Sequence, residues 1–205
     1  MLLHDPLAHW LVGATAVAVV VGEIIATYLG HARDGDSPLM YLHRRGAATR
    51  QDRGTRFIVA LAVYLGIAAA LAIAKAPRFR VYANNWWTLG IGVAIVLGGA
   101  ALRDWAILSL GRYFRREVSI EPGQRILRRG PYRMLRHPSY AGIFLILAGF
   151  GLTFGSWASA AVALLIVFAG TLPRIWVEER ALARAFGSDY TSYASSTDRV
   201  LPHVW

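Results

Sequence analysis

The chain contains no cysteine. That excludes disulfides, thiolate nucleophiles and zinc–thiolate centres. Acidic residues are sparse as well: 12 Asp and Glu stand against 22 Lys and Arg, for a formal net charge of +10. Lysine is nearly missing, Lys75 being the only one. No strand-like run leads into a Gly-rich phosphate turn, so a Rossmann-type nucleotide site is not expected. The opening Met1-Leu2-Leu3-His4-Asp5-Pro6 lacks the basic stretch of a secretion signal, and the apolar run after it is too long for a signal core. It is read as a retained span.

Apolar sequence is abundant. Apolar residues make up 56% of 205 and the mean hydropathy is +0.41, above the ~45–50% apolar content of soluble domains. Leu7–Leu29, Phe57–Ala74 and Trp86–Leu110 have the length that crosses a bilayer, ~17–25 residues. Ser139–Phe154 and Trp157–Val177 form a fourth and a fifth run, separated only by Gly155-Ser156. Backbone groups in lipid must bond internally, so the runs are expected to be helices. The predicted fold is all-α: a polytopic integral membrane protein of about five transmembrane helices. It divides into a three-helix membrane region over residues 1–110 and a chemistry-bearing region over 111–205.

A charge of +10 could point to nucleic acid, but its placement points to a membrane. Arg33, Arg44, Arg45, Arg50, Arg53 and Arg56 crowd one loop; Arg112, Arg115, Arg116, Arg125, Arg128, Arg129, Arg133 and Arg136 crowd another. The positive-inside rule puts both on the cytoplasmic side of a cell or inner membrane. Five spans then leave the N-terminus outside and the C-terminus cytoplasmic; only the loop with Lys75, Arg78 and Arg80 opposes this. Trp10, Trp86, Trp87 and Trp157 fall at the outer interface, where such rings are favoured. Anionic lipid head groups are the expected partners of the basic loops, and nucleic acid is not.

Glu23, Arg103 and Asp104 fall inside spans, where charge is costly and marks a functional hypothesis. Glu23 and Arg103 lie at similar depth, roughly 9–10 Å inside the cytoplasmic end. A Glu23–Arg103 pair, or snorkelling to the interface, accounts for them. Gly90, Ala94 and Gly98 recur every four residues and are expected to form a helix-packing face.

The pattern changes after Leu110. Pro122-Gly123 and Gly130-Pro131 are turns. The polar run Gly130–Tyr140 opens into the fourth span at His137-Pro138, with Pro138 suited to the first helical position. Such a helix start can hold a carboxylate or hydroxyl. Beyond the hairpin, Pro173 loosens the backbone, and Arg174, Val177 and Glu178 share related helix faces. Glu178 and Glu179 are adjacent, so one is expected to face a site and the other the solvent or the basic loops. An amphipathic stretch Arg180–Phe186 ends at Gly187, a C-cap. Taken singly these residues have plain readings: an i,i+4 ion pair for Arg174 and Glu178, a cap for His137, interface aromatics for Tyr132 and Tyr140. Two dense polar sets bracketing one apolar hairpin point to a site at a membrane surface.

Gly130–Tyr140, Glu178-Glu179 and Ala185-Phe186-Gly187-Ser188-Asp189-Tyr190, with Tyr193, closely resemble the isoprenylcysteine carboxyl methyltransferase family, within a wider group of membrane methyltransferases that includes phospholipid N-methyltransferases. The resemblance covers about Leu110–Pro202. It implies S-adenosylmethionine as donor, bound in a cytoplasmic region. By position, Gln124, Ile126, Leu127 and Tyr132 would line the donor pocket, and His137, Pro138, Ser139 and Tyr140 would wrap it at the helix start. Glu178 would accept hydrogen bonds from the donor, and Arg174 matches the family's substrate-orienting arginine. Gln124 stands where carboxyl methyltransferases commonly carry histidine. No resident metal is implied.

The expected reaction is methyl transfer to a lipophilic or prenylated acceptor entering from the bilayer. A carboxylate acceptor needs no deprotonation at neutral pH, so alignment and water exclusion carry the rate, with ~7–11 kcal/mol available from orientation. Arg174 could hold that carboxylate through a planar two-point contact. An amine or thiol acceptor would need a base, with His137, Glu178 and Glu179 available. The alternatives are a phospholipid N-methyltransferase, a small-thiol S-methyltransferase, or a non-catalytic membrane scaffold.

Overall fold

The structure is a computed structural model and describes residues 5–33, 54–76, 86–114 and 123–205. Arg44, Arg45, Arg50, Arg53, Arg78, Arg80, Arg115, Arg116 and Pro122 lie outside the described residues. Each apolar run is a helix: α1 Pro6–Arg33, α2 Thr55–Ala74, α3 Trp86–Leu110, α4 Pro138–Thr153 and α5 Trp157–Phe186. Four of these, α1, α2, α3 and α5, are long and apolar enough to cross a membrane, and α4 is a shorter apolar helix. A short amphipathic helix, α6 Ser188–Ser195, follows α5. Among the described residues the only β contact is an isolated bridge between Leu135 and Asp198.

Helix α5 has 30 residues and runs through Pro173 without a break. At 1.5 Å per residue it is about 45 Å long, beyond a hydrocarbon core of ~30 Å. It is thus long enough to extend past such a core. Gly187 ends it, its N–H bonding Ala183 O at 3.0 Å.

The helices form an arc in the order α1, α3, α4, α5, α2. Among the described residues no packing interface joins α1 to α2, so the arc has a mouth. The core lies between α4, α5 and the C-terminal tail, where Val167, Ile175 and Val200 are fully buried. Large apolar side chains elsewhere, such as Val17, Ile24, Leu61 and Leu165, face outward as expected of a surface solvated by lipid.

The expected packing face on α3 is corrected. Gly90 and Gly98 have nothing within 4 Å of where a Cβ would sit. The contact face is instead Gly92, Val96 and Gly99, all buried against α4. A Cβ at Gly99 would lie 2.8 Å from Gly142 O, and one at Gly149 2.7 Å from Gly92 O. Small residues occur on both faces of α3, and only the face whose partner also carries glycines permits this approach.

Candidate functional site

The turn before α4 is fixed from three directions. Gly130 has φ +58, and a Cβ there would lie 2.5 Å from Ser109 Oγ, so the turn sits directly on the end of α3. From the C-terminal side, Arg136 N donates to Asp198 O at 2.7 Å and His137 N to Arg199 O at 2.9 Å. From α6, the Tyr193 hydroxyl donates to Tyr132 O at 2.8 Å and reaches Leu135 O at 3.3 Å. The Tyr193 pKa is pushed up to about 12, chiefly by burial, so it remains a donor at neutral pH. His137 then caps α4, its carbonyl accepting from Tyr140 N and Ala141 N, with Pro138 at the first helical position.

Across the hairpin, the two adjacent glutamates separate as expected. Glu178 Oε1 accepts from Arg174 Nε at 2.6 Å and from the Tyr140 hydroxyl at 2.8 Å. Arg174 is itself buried, and its Nη1 donates to Thr55 Oγ1 at 3.2 Å, tying α2 to the site. Glu179 turns the other way, accepting from Arg136 Nε at 3.0 Å and Arg199 Nε at 3.1 Å. His137 stands between them, Nδ1 3.4 Å from Glu178 Oε2 and Nε2 3.5 Å from Glu179 Oε1. The second contact is too long to satisfy a buried N–H, and Nε2 has no hydrogen-bond partner. Burial alone would lower the histidine's pKa; the negative charge of the two carboxylates beside it outweighs that and raises it. The two polar sets anticipated from the sequence are thus one electrostatic cluster.

Glu178 looks into a cavity of about 1270 Å³, larger than the ~300–1,000 Å³ of a single small-ligand site. Its polar end carries Gln124, Tyr132, His137, Ser139, Tyr140 and Arg174. Burial drives the Tyr132 pKa well above the usual tyrosine range, with Tyr193 and Glu178 adding to it, so its hydroxyl stays neutral. Ile126 and Leu127 also line the cavity. Pro138 does not: it is fully buried in the helix start, with an architectural role. The apolar end is lined by Val20 of α1, Val63, Tyr64 and Ile67 of α2, and Ile143 and Phe150 of α4. From Tyr140 to Phe150 the wall runs ten residues along α4, about 15 Å. It lies at the mouth of the arc, between α1 and α2.

Sequence reasoning did not assign several of these parts. The roles of Thr55, Tyr193 and Arg199 depend on contacts distant in sequence. The apolar liners have the same residue types as lipid-facing positions, so no local signal separates them. The Arg174–Glu178 i,i+4 pair and the paired site are both present, because the ion pair itself faces the cavity.

Comparison with known proteins gives consistent results. The sequence model of the isoprenylcysteine carboxyl methyltransferase family matches residues 91–184. Protein-S-isoprenylcysteine O-methyltransferase B of Arabidopsis thaliana is 30% identical over 134 residues, covering 64% of this chain and 68% of the plant protein. An uncharacterised protein of Bacillus subtilis is 32% identical over 118 residues, covering 57% of this chain and 64% of that protein. The solved eukaryotic intramembrane Ras methyltransferase of the same family superposes with a TM-score of 0.55 at 25% identity, covering 72% of this chain and 52% of the other. The chain thus spans about half the length of that solved enzyme.

Proposed function

The chain belongs to the isoprenylcysteine carboxyl methyltransferase family, and on that premise we propose that it methylates the carboxylate of a lipophilic, prenyl-bearing acceptor, using S-adenosylmethionine as donor. The observation that carries this reading is the placement of Glu178. Its carboxylate is held by Arg174 and Tyr140 at the polar end of a cavity whose other end is an apolar channel. One end suits a charged donor and the other an apolar tail.

The residues fit the donor. Glu178 offers negative charge and acceptor oxygens to a sulfonium or ammonium group; Gln124, Tyr132 and Ser139 add neutral polar groups around it. His137, held between two carboxylates, orients Glu178. When bound, the donor supplies an electrophilic methyl group: an acceptor carboxylate oxygen forms the new O–C bond as the C–S bond breaks, leaving a methyl ester and a neutral thioether. The rest is alignment and water exclusion, which the buried helix start and the surrounding apolar walls provide. Arg174 lies in the cavity wall beside Glu178, positioned to orient the acceptor carboxylate. The acceptor tail enters from the bilayer through the mouth between α1 and α2. We take the site to face the cytoplasm, as the basic loops favour.

Titration of purified protein with S-adenosylhomocysteine tests the donor site, with saturable binding expected. Transfer of radiolabelled methyl into a farnesylcysteine carboxylate, released as methanol by base, tests the acceptor class. Label that resists base and stays with a lipid amine or thiol would overturn the carboxylate assignment.

A further inference from the structure

The intramembrane charges on α3 have no part in the reading above, yet their contacts lead to it. Arg103 makes a two-point contact with Glu23 of α1, Nη2 to Oε1 at 2.8 Å and Nε to Oε2 at 3.1 Å. Its remaining terminal nitrogen, Nη1, donates to Ser139 Oγ and reaches Ser139 O at 3.4 Å. Ser139 is in the first turn of α4 and in the cavity wall, as are Glu23 and Arg103. One guanidinium therefore bridges the outermost helix of the arc to the helix start at the donor end.

The backbone is shaped for this bridge. A Cβ at Gly142 would lie 2.8 Å from Arg103 Cβ, so only glycine lets the arginine stem pass α4 at this depth. On the opposite side, a Cβ at Gly22 would lie 3.0 Å from Asp104 Oδ2, so α1 also carries its smallest residue where the next charged side chain crosses. Stability alone is a weak reason for such a pair, since an apolar replacement of similar volume often serves as well or better. Geometric specification is the better-attested use of buried polar groups.

We propose that Arg103 is a positioning residue for the donor site: held by Glu23, it fixes Ser139 and the first turn of α4 in the geometry that receives the donor. The inference rests on the donor-site reading above. It makes α1, otherwise a peripheral helix, part of the donor-binding apparatus.

The test is isothermal titration with S-adenosylhomocysteine, alongside thermal unfolding, on the full chain in detergent. Arg103→Gln should weaken binding at least about tenfold, the loss of a charge-assisted hydrogen bond. Glu23→Gln, which keeps the shape, should weaken it about threefold. The exchange Glu23→Arg with Arg103→Glu restores an ion pair but removes the guanidinium from Ser139. It should recover most of the melting temperature while donor affinity stays low, which a purely structural role would not produce. In turnover assays Arg103→Gln should raise donor KM more than it lowers kcat. If wild type binds and Arg103→Gln binds equally well, or if the exchange restores affinity together with stability, the inference is overturned. If wild type itself does not bind, the donor-site reading fails, and the inference with it.

Discussion

The two halves of this molecule are held together by different physics. Residues 123–205 are cross-linked by polar contacts: Arg136, His137, Glu178, Glu179, Tyr193 and Arg199 tie a turn, two helices and the tail into one unit. Helices α1 and α2 sit at the two ends of the arc, α1 against α3 and α2 chiefly against α5, and most of their large side chains face outward. Their polar ties to the rest include Glu23–Arg103, Thr55–Arg174 and the Ser159 hydroxyl donating to Ala70 O. A polar end facing two apolar walls is what the proposed donor site, served by a lateral lipid channel, requires. The polar end must hold geometry, and the walls must let a lipid pass.

The comparison breaks most sharply at Glu178. Removing its carboxylate leaves Arg174, Tyr140 and His137 facing one another without the acceptor that joins them. Uncompensated buried charge costs about 3–5 kcal/mol. Glu178→Ala should therefore lose donor affinity by at least about a hundredfold, read by titration with S-adenosylhomocysteine. Full retained affinity would remove Glu178 from the site. Next in size is Arg136→Ala, which removes one of the two arginines that pair with Glu179 and frees the carbonyls of Ala194 and Thr197. A loss of about 3 kcal/mol of stability is expected from the missing charge-assisted hydrogen bonds, visible as a lower melting temperature and faster proteolysis of the tail beyond Ser195. An unchanged melting temperature would show that the tail does not clasp the turn.

Protonation probes the same unit more gently. His137 has its pKa raised in the fold by Glu178 and Glu179 against the effect of burial. Arg136, Arg174 and Arg199 also contact these two carboxylates and moderate the effect. For a raised pKa, the stabilising contribution is fully present below the unfolded value, ~6.5, and is lost as pH rises through the higher folded value. The melting temperature should fall as pH rises above about 6.5, as the fold loses at most ~1.4 kcal/mol for each pH unit crossed. His137→Gln should flatten that slope. A wild-type profile that rises over this range would mean the histidine is held neutral.

The sequence made the polar half legible and left the apolar half only outlined. His137-Pro138 announced a helix start, and adjacent Glu178 and Glu179 had to diverge, because neighbours on a helix cannot share a face. Arg103 and Glu23 could be paired by depth alone, since unpaired charge in hydrocarbon is expensive. Ser139 as their third partner could not be anticipated, because it depends on the crossing of α3 and α4. The packing face expected at Gly90, Ala94 and Gly98 is not the one used; the glycines that matter are set by matching ones at Gly142 and Gly149. The cavity walls were hidden for a related reason: Val63 in an apolar cavity wall and Leu61 on the outer surface are the same kind of residue in the same kind of surroundings.

That equivalence sets the smallest prediction. In a soluble enzyme, trimming an apolar pocket weakens binding by about 25 cal/mol for each Å² no longer shielded from water. On the proposed function the acceptor's tail starts in hydrocarbon and ends in an apolar channel, so the transfer supplies little free energy in either direction. The channel wall should align the acceptor more than attract it. Tyr64, which lines the channel and is 73% exposed, is the test case. Tyr64→Ala should leave S-adenosylhomocysteine affinity unchanged and shift acceptor KM by less than about threefold. A tenfold rise in acceptor KM would mean that α2 grips its ligand by specific contacts. The apolar walls would then be as much a recognition element as the polar end they enclose.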